Sequence, residues 1–178
     1  IIENNNNLMV EETKLSTLLT TPQLIDNKGI TTIKNSTIKA EAITTGTINN
    51  EENATLNVTD STITKTDEKG NNIVNSGTAT FDNTQFKFSF DYWSANYYNI
   101  VNKSTGNITV NGGTYSNGNF IENYGLATIN DLKDKSFESI SDDALNKYIY
   151  KYNDIYNSGG ILNLNNVDKG YSTSRVYN

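Results

Sequence analysis

Ile73-Val74-Asn75-Ser76-Gly77-Thr78-Ala79-Thr80-Phe81-Asp82-Asn83-Thr84-Gln85-Phe86 carries the pattern that decides the fold. It reads Ile-x-Asn-x-Gly-x-apolar-x-apolar-x-Asn-x-x-apolar. Ile25 to Ile38 repeats it without a gap, with Thr31 in an apolar slot. Near the start, Ile2, Asn4, Leu8, Val10, Glu12 and Leu15 fill the same slots. Small shifts bring in four more copies, led by Ile48, Ile100, Ile121 and Ile155. The leads stand at 2, 25, 48, 73, 100, 121 and 155, a period in the low twenties with longer intervals after 73 and 121. Internal repeats of this length are the mark of a solenoid.

Within each copy apolar and polar residues alternate, as in Leu56-Asn57-Val58, Ala79-Thr80-Phe81 and Ile108-Thr109-Val110. That is the period of a strand, and Thr, Val, Ile, Phe and Tyr suit strands. Asn, Ser and Gly between the runs mark turns. A unit this short cannot bury its own apolar face, whereas units coiled one above another bury a continuous core. The expected fold is therefore all-β: a parallel β-helix of about seven coils, about 33 Å long at the strand spacing of a sheet. Residues 1–178 read as a single β-helix domain and as a slice of a longer array, since no polar cap stands out at either end.

Asn4, Asn27, Asn50, Asn75, Asn102, Asn123 and Asn157 should share one corner. Asn tolerates left-handed backbone geometry, and stacked amides hydrogen-bond along an axis. The other reading of this row is a line of ligand-binding amides. Gly29, Gly77, Gly125 and Gly159 should relieve the same turn.

Ile73 to Phe86, Val110-Asn111-Gly112-Gly113-Thr114-Tyr115 and Ile155-Tyr156-Asn157-Ser158-Gly159-Gly160 resemble the right-handed parallel β-helix repeats of bacterial and archaeal adhesin-like surface proteins. These include autotransporter passengers such as the chlamydial polymorphic outer-membrane proteins. Phe120-Ile121-Glu122-Asn123 fits that group's Phe-x-x-Asn tetrapeptide, and Gly159-Gly160-Ile161-Leu162 approaches its Gly-Gly-Ala-Ile. The resemblance implies a secreted protein displayed extracellularly on a cell surface. It also implies a non-catalytic adhesin stalk or adhesive passenger that meets a host or cell-surface glycan or protein.

Composition narrows the chemistry. The 178 residues include 30 Asn and 23 Thr, with no Cys and no His. Disulfides, thiol nucleophiles, imidazole-bound metals and Ser-His-Asp triads are thereby excluded. Net charge is -6 and the 14 basic residues are scattered, so no nucleic-acid partner is expected. The longest purely apolar runs are three residues, such as Leu8-Met9-Val10, and no membrane insertion of this segment is expected. The opening Ile1-Ile2-Glu3 has no basic n-region, so no signal peptide is expected within it.

Two long intervals are where function could sit, because insertions in solenoids project as loops. In the first, Phe86, Phe88, Phe90 and Tyr92 alternate as a strand with inward aromatics, and Trp93, Tyr97 and Tyr98 follow. Aromatic rings among Asn and Asp suit a sugar, whose apolar face stacks on the ring while amides and carboxylates take the hydroxyls. Tyr92, Trp93, Tyr97 and Tyr98 are thus the candidate ligand-binding residues. The weightier reading has the loop folding back to bury its rings against the side of the helix. In the second interval, Ser141-Asp142-Asp143 caps a short helix with an apolar stripe of Ala144, Leu145, Tyr148, Ile149 and Tyr152. Tyr148 to Tyr152 fits a strand as well.

Many β-helices degrade polysaccharides, and Asp142-Asp143 resembles the paired aspartates of polygalacturonases. The Gly-His-Gly and Arg-x-Lys of that family are missing, and Arg175 is the single Arg. No enzyme activity, metal or cofactor is expected. A carbohydrate-binding or polysaccharide-degrading β-helix of the tailspike kind is the alternative. Thr placement along the sequence is too irregular for an ice-binding row.

Overall fold

The computed structural model describes residues 1–18, 20–66, 70–88, 97–116, 119–134, 155–167 and 176–177. The chain winds in coils of three short strands. Coil one holds β1 (Ile2–Asn4), β2 (Asn7–Glu11) and β3 (Lys14–Thr17), and coil two β4 (Ile25–Asn27), β5 (Ile30–Lys34) and β6 (Thr37–Ala40). Coil three holds β7 (Gly46–Asn50), β8 (Thr55–Thr59) and β9 (Thr62–Lys65), and coil four β10 (Asn71–Asn75), β11 (Thr78–Asp82) and β12 (Gln85–Phe88). Coil five holds β13 (Tyr98–Asn102), β14 (Asn107–Asn111) and β15 (Thr114–Ser116), and coil six β16 (Asn119–Asn123), β17 (Leu126–Asn130) and β18 (Lys133–Asp134). Coil seven contributes β19 (Ile155–Asn157) and β20 (Ile161–Asn165), and β21 (Val176–Tyr177) adds one further strand.

Strands of the same rank pair in parallel. The first sheet runs β1-β4-β7-β10-β13-β16-β19-β21, the second β2-β5-β8-β11-β14-β17-β20 and the third β3-β6-β9-β12-β15-β18. This is an all-β parallel solenoid, consistent with the right-handed β-helix expected. Six coils carry all three strands among the described residues, slightly fewer than the seven expected. The segment 135–154, and the helix expected after Ser141, lies outside the described residues.

The register is the one the repeat implies. The lead residues pair in series, Ile2 with Ile25, then Ile48, Ile73, Ile100, Ile121 and Ile155. Those from Ile25 to Ile121 are fully buried. Each such side chain contributes about 1.5–3 kcal/mol relative to exposure. In the second sheet Ile33, Val58, Phe81, Val110 and Ile129 stack as another buried column. Small and large residues alternate to fill the interior: Ala79 makes room where Phe81 meets Phe86 edge-to-face at 5.1 Å. Phe86 then meets Phe120 at 5.7 Å, and Tyr115 meets Phe120 at 4.9 Å. Phe86 and Phe88 point inward as their alternation implied; Phe90 lies outside the described residues.

The corner between the first and second sheets holds the expected Asn column. Each amide donates through Nδ2 to Oδ1 of the next: Asn4 to Asn27 at 2.8 Å, Asn27 to Asn50 at 2.7 Å, Asn50 to Asn75 at 2.7 Å. Asn75 continues to Asn102 at 2.9 Å, Asn102 to Asn123 at 2.8 Å and Asn123 to Asn157 at 2.9 Å. The second N–H of each amide goes to a main-chain carbonyl, such as Ile30 for Asn4 and Thr55 for Asn27. Burying so many amides is tolerable because each is paired. Thr31 joins this network from its apolar slot: its hydroxyl donates to Asn27 Oδ1 at 2.8 Å and accepts from Asn4 Nδ2 at 3.0 Å.

One expectation about this corner is corrected. None of the column asparagines has a left-handed backbone. Left-handed residues recur instead just after the second-sheet strands, at Glu12, Asn35, Asp60, Asn83, Gly112, Asp131 and Asn166, with φ between 47° and 67°; Ala42, at 50°, and Asn53, at 67°, are left-handed in other connections. The column asparagines are inward-facing strand residues, so the need for a left-handed turn passes to the slot where the chain leaves the second sheet. Gly29, Gly77 and Gly125 are corrected with them, since none has a positive φ, whereas Gly159 does relieve its turn. A Cβ on Gly77 would run into the carbonyls of Ala54 and Glu51, so that glycine serves close approach of the coil beneath. In coil seven Gly160 plays this part against the Gly125 carbonyl, while Gly159 has a φ of 97° and open space around it.

The three corners differ in length. Two residues separate the second-sheet strand from the third-sheet strand in all six complete coils. Between first and second sheets the gap is two to four residues. Between third and first sheets it ranges from two residues (Ser116 to Asn119) to 20 (Asp134 to Ile155).

Candidate functional site

Of the four residues singled out in the sequence, Tyr92 and Trp93 lie outside the described residues. Tyr97 and Tyr98 are half-buried, and they sit where the longer connection between β12 and β13 rejoins the first sheet. Tyr98 opens β13; its backbone N–H donates to Asn71 Oδ1 at 2.8 Å. Its ring meets the ring of Tyr156 at right angles, centroids 5.7 Å apart.

Tyr156 was not among the sequence candidates. It occupies the x slot of Ile155-Tyr156-Asn157, and alternation turns that slot outward. The signal was present, but a lone tyrosine in a variable slot does not stand out. In the neighbouring strand Tyr156 lies opposite Glu122. The phenol of Tyr124 hydrogen-bonds to the Glu122 carboxylate, which holds it above its ordinary range. Burial and the Glu122 charge add to the shift, and Ser158 opposes it. The outer side of the first sheet at coils five to seven thus gathers Tyr98, Glu122, Tyr124 and Tyr156, with Tyr124 the most exposed. Such a group can stack against a flat apolar surface and accept hydrogen bonds at the carboxylate.

The second sheet offers a different surface. Its central outward row is Met9, Thr32, Asn57, Thr80, Thr109, Thr128 and Asn163. Beside it runs an exposed amide ladder: Asn111 Nδ2 donates to Asp82 Oδ1 at 2.8 Å, Asn130 to Asn111 at 2.9 Å and Asn165 to Asn130 at 2.7 Å. The N–H groups of the inner Asn column, by contrast, are taken by the next amide and by main-chain carbonyls from Asn4 to Asn123, which leaves the ligand-row reading no donor to offer there.

Asp142, Asp143 and Arg175 lie outside the described residues. Among the described residues no group of three or more His, Cys, Asp or Glu could hold a metal ion. No described helix is long and apolar enough to cross a membrane. Comparison with protein-family models, with curated proteins and with solved structures finds no match to this chain.

Proposed function

We propose that this chain is a non-catalytic, surface-displayed β-helix module, an adhesin stalk or adhesive passenger that extends and presents a lateral binding surface. The observation that supports this most is the unbroken run of six amide-to-amide bonds from Asn4 to Asn157 along the rod. Cross-linking along the axis suits a part that must hold length and register. The test is saturable binding of the purified chain to host cells and immobilised extracellular glycans or proteins, together with single-molecule stretching. Binding supports the passenger form, and high mechanical resistance without binding supports the stalk. Turnover of a polysaccharide that disappears in Asp142→Asn would overturn the non-catalytic reading.

A second reading, a carbohydrate-binding or polysaccharide-degrading β-helix of the tailspike kind, is favoured by the Tyr98–Tyr156 pair beside Glu122 and Tyr124. A glycan array would compare the chain with the Trp93→Ala, Tyr97→Ala double variant and with Tyr156→Ala. Binding lost in either variant supports a sugar site, and no binding by the unaltered chain sinks it.

A further inference from the structure

A second column with polar members is buried in the slot just before the lead isoleucines. Leu24, Thr47, Asn72, Asn99 and Phe120 occupy it, one per coil from coil two to coil six. All five are buried, and Thr47, Asn72 and Asn99 have no exposure at all. The two ends of the column are apolar. The three middle residues place a hydroxyl and two amides where no bulk solvent reaches, and buried groups of that kind need partners.

Most of that need is met close by. Asn72 Nδ2 donates to Asn99 Oδ1 at 2.9 Å and to the Lys87 carbonyl at 3.0 Å. Asn99 Nδ2 donates to the Asn119 carbonyl at 3.2 Å. Two oxygens remain. Thr47 Oγ1 and Asn72 Oδ1 are buried without a hydrogen-bond partner among the described residues. They stand in register on neighbouring coils, since Gly46 pairs with Asn71 and Ile48 with Ile73. As in the ladder from Asn4 to Asn157, the Asn72 amide aims Nδ2 at the coil that follows, which turns Oδ1 back toward the coil of Thr47. In that ladder the preceding slot holds another Asn, whose Nδ2 reaches the waiting oxygen. A threonine hydroxyl ends one atom short of an amide nitrogen, and here it leaves the oxygen unmet.

We propose that a single internal water molecule bridges Thr47 Oγ1 and Asn72 Oδ1. It donates one proton to the amide oxygen, which can only accept. Its other contact is with the hydroxyl, which can give or accept. The pair supplies the two polar contacts that a buried water takes at the least. Two neutral oxygens do not replace the hydration shell of a cation, which for calcium means about six to eight oxygen ligands, so the occupant is water.

The test joins a high-resolution crystal structure to water-oxygen magnetic relaxation dispersion in solution, on the unaltered chain, Thr47→Ser and Thr47→Val. A density peak about 2.5–3.0 Å from both oxygens is expected in the unaltered chain. Thr47→Ser keeps the hydroxyl and should keep both the peak and the dispersion amplitude. Thr47→Val keeps the shape and withdraws one of the two partners, so the peak should vanish and the amplitude should fall by the contribution of one long-lived water. A direct Thr47-to-Asn72 hydrogen bond, a peak that refines as a cation, or a peak that persists in Thr47→Val overturns the proposal. So does a dispersion amplitude that is the same in all three proteins.

Discussion

Asn50 donates its side-chain amide to Asn75 at 2.7 Å, and both residues are fully buried. Neither has water to fall back on, so the bond matters chiefly through what its loss would strand.

Asn75→Ala leaves one Asn50 N–H and the Asn102 carbonyl without their ladder partners. The expected cost is about 2–5 kcal/mol. Asn111→Ala, which cuts the exposed ladder on the second sheet, should stay within about 0.5 kcal/mol because water replaces the lost partners. Urea titration of both variants checks the contrast, and equal costs would refute it.

Thr31→Val keeps the shape of the side chain and deletes the hydroxyl that bridges Asn27 and Asn4. A loss of about 1–2 kcal/mol is expected despite the gain in apolarity. An unchanged melting midpoint would mean the threonine is merely tolerated in its slot.

Gly112 and Gly113 are adjacent and should respond differently. Gly112 sits at φ 67° with open space where a Cβ would go, in a slot that holds Asn or Asp in five of the other coils. Gly112→Asn should change stability by less than about 1 kcal/mol. Gly113, at φ 90°, would drive a Cβ into the Thr84 backbone, so Gly113→Asn should cost more than about 2 kcal/mol. Thermal melts of the two variants would expose any reversal of that order.

The Tyr124 phenol should titrate above the ordinary tyrosine range, chiefly through its bond to Glu122. With the folded-state value raised, the stabilisation is complete below the ordinary tyrosine pKa and is lost as pH climbs through the raised value. Glu122→Gln should bring the ultraviolet-monitored titration back down. A titration that ignores the substitution would show that Glu122 is not the cause.

Much of this fold is legible in the sequence because each slot occurs once per coil. A single Ile-x-Asn means little; its recurrence at Ile25, Ile48 and Ile73 exposes both the register and the amide column. The left-handed slot is not legible in the repeat because backbone sign is not part of an apolar-polar pattern. Glu12, Asn35 and Asp60 share a conformation without sharing a side chain. Tyr156 is hidden for the opposite reason. Outward slots vary from coil to coil, so repetition gives no help where a recognition surface would lie. The two long intervals occur once each, and the same limit applied to them.

The unequal corners have a consequence for how such a rod can change. A residue inserted after Asp82 would break a turn whose length is the same in every complete coil, and would push the following strand to the wrong face. A segment inserted between the third and first sheets meets no such penalty, since that passage already spans two to 20 residues with the lead column still in step. Novelty is thus channelled to one longitudinal seam. Along it the chain can acquire, lengthen or discard excursions one coil at a time, and every excursion leaves the rod on the same side, stacked at the spacing of the rungs.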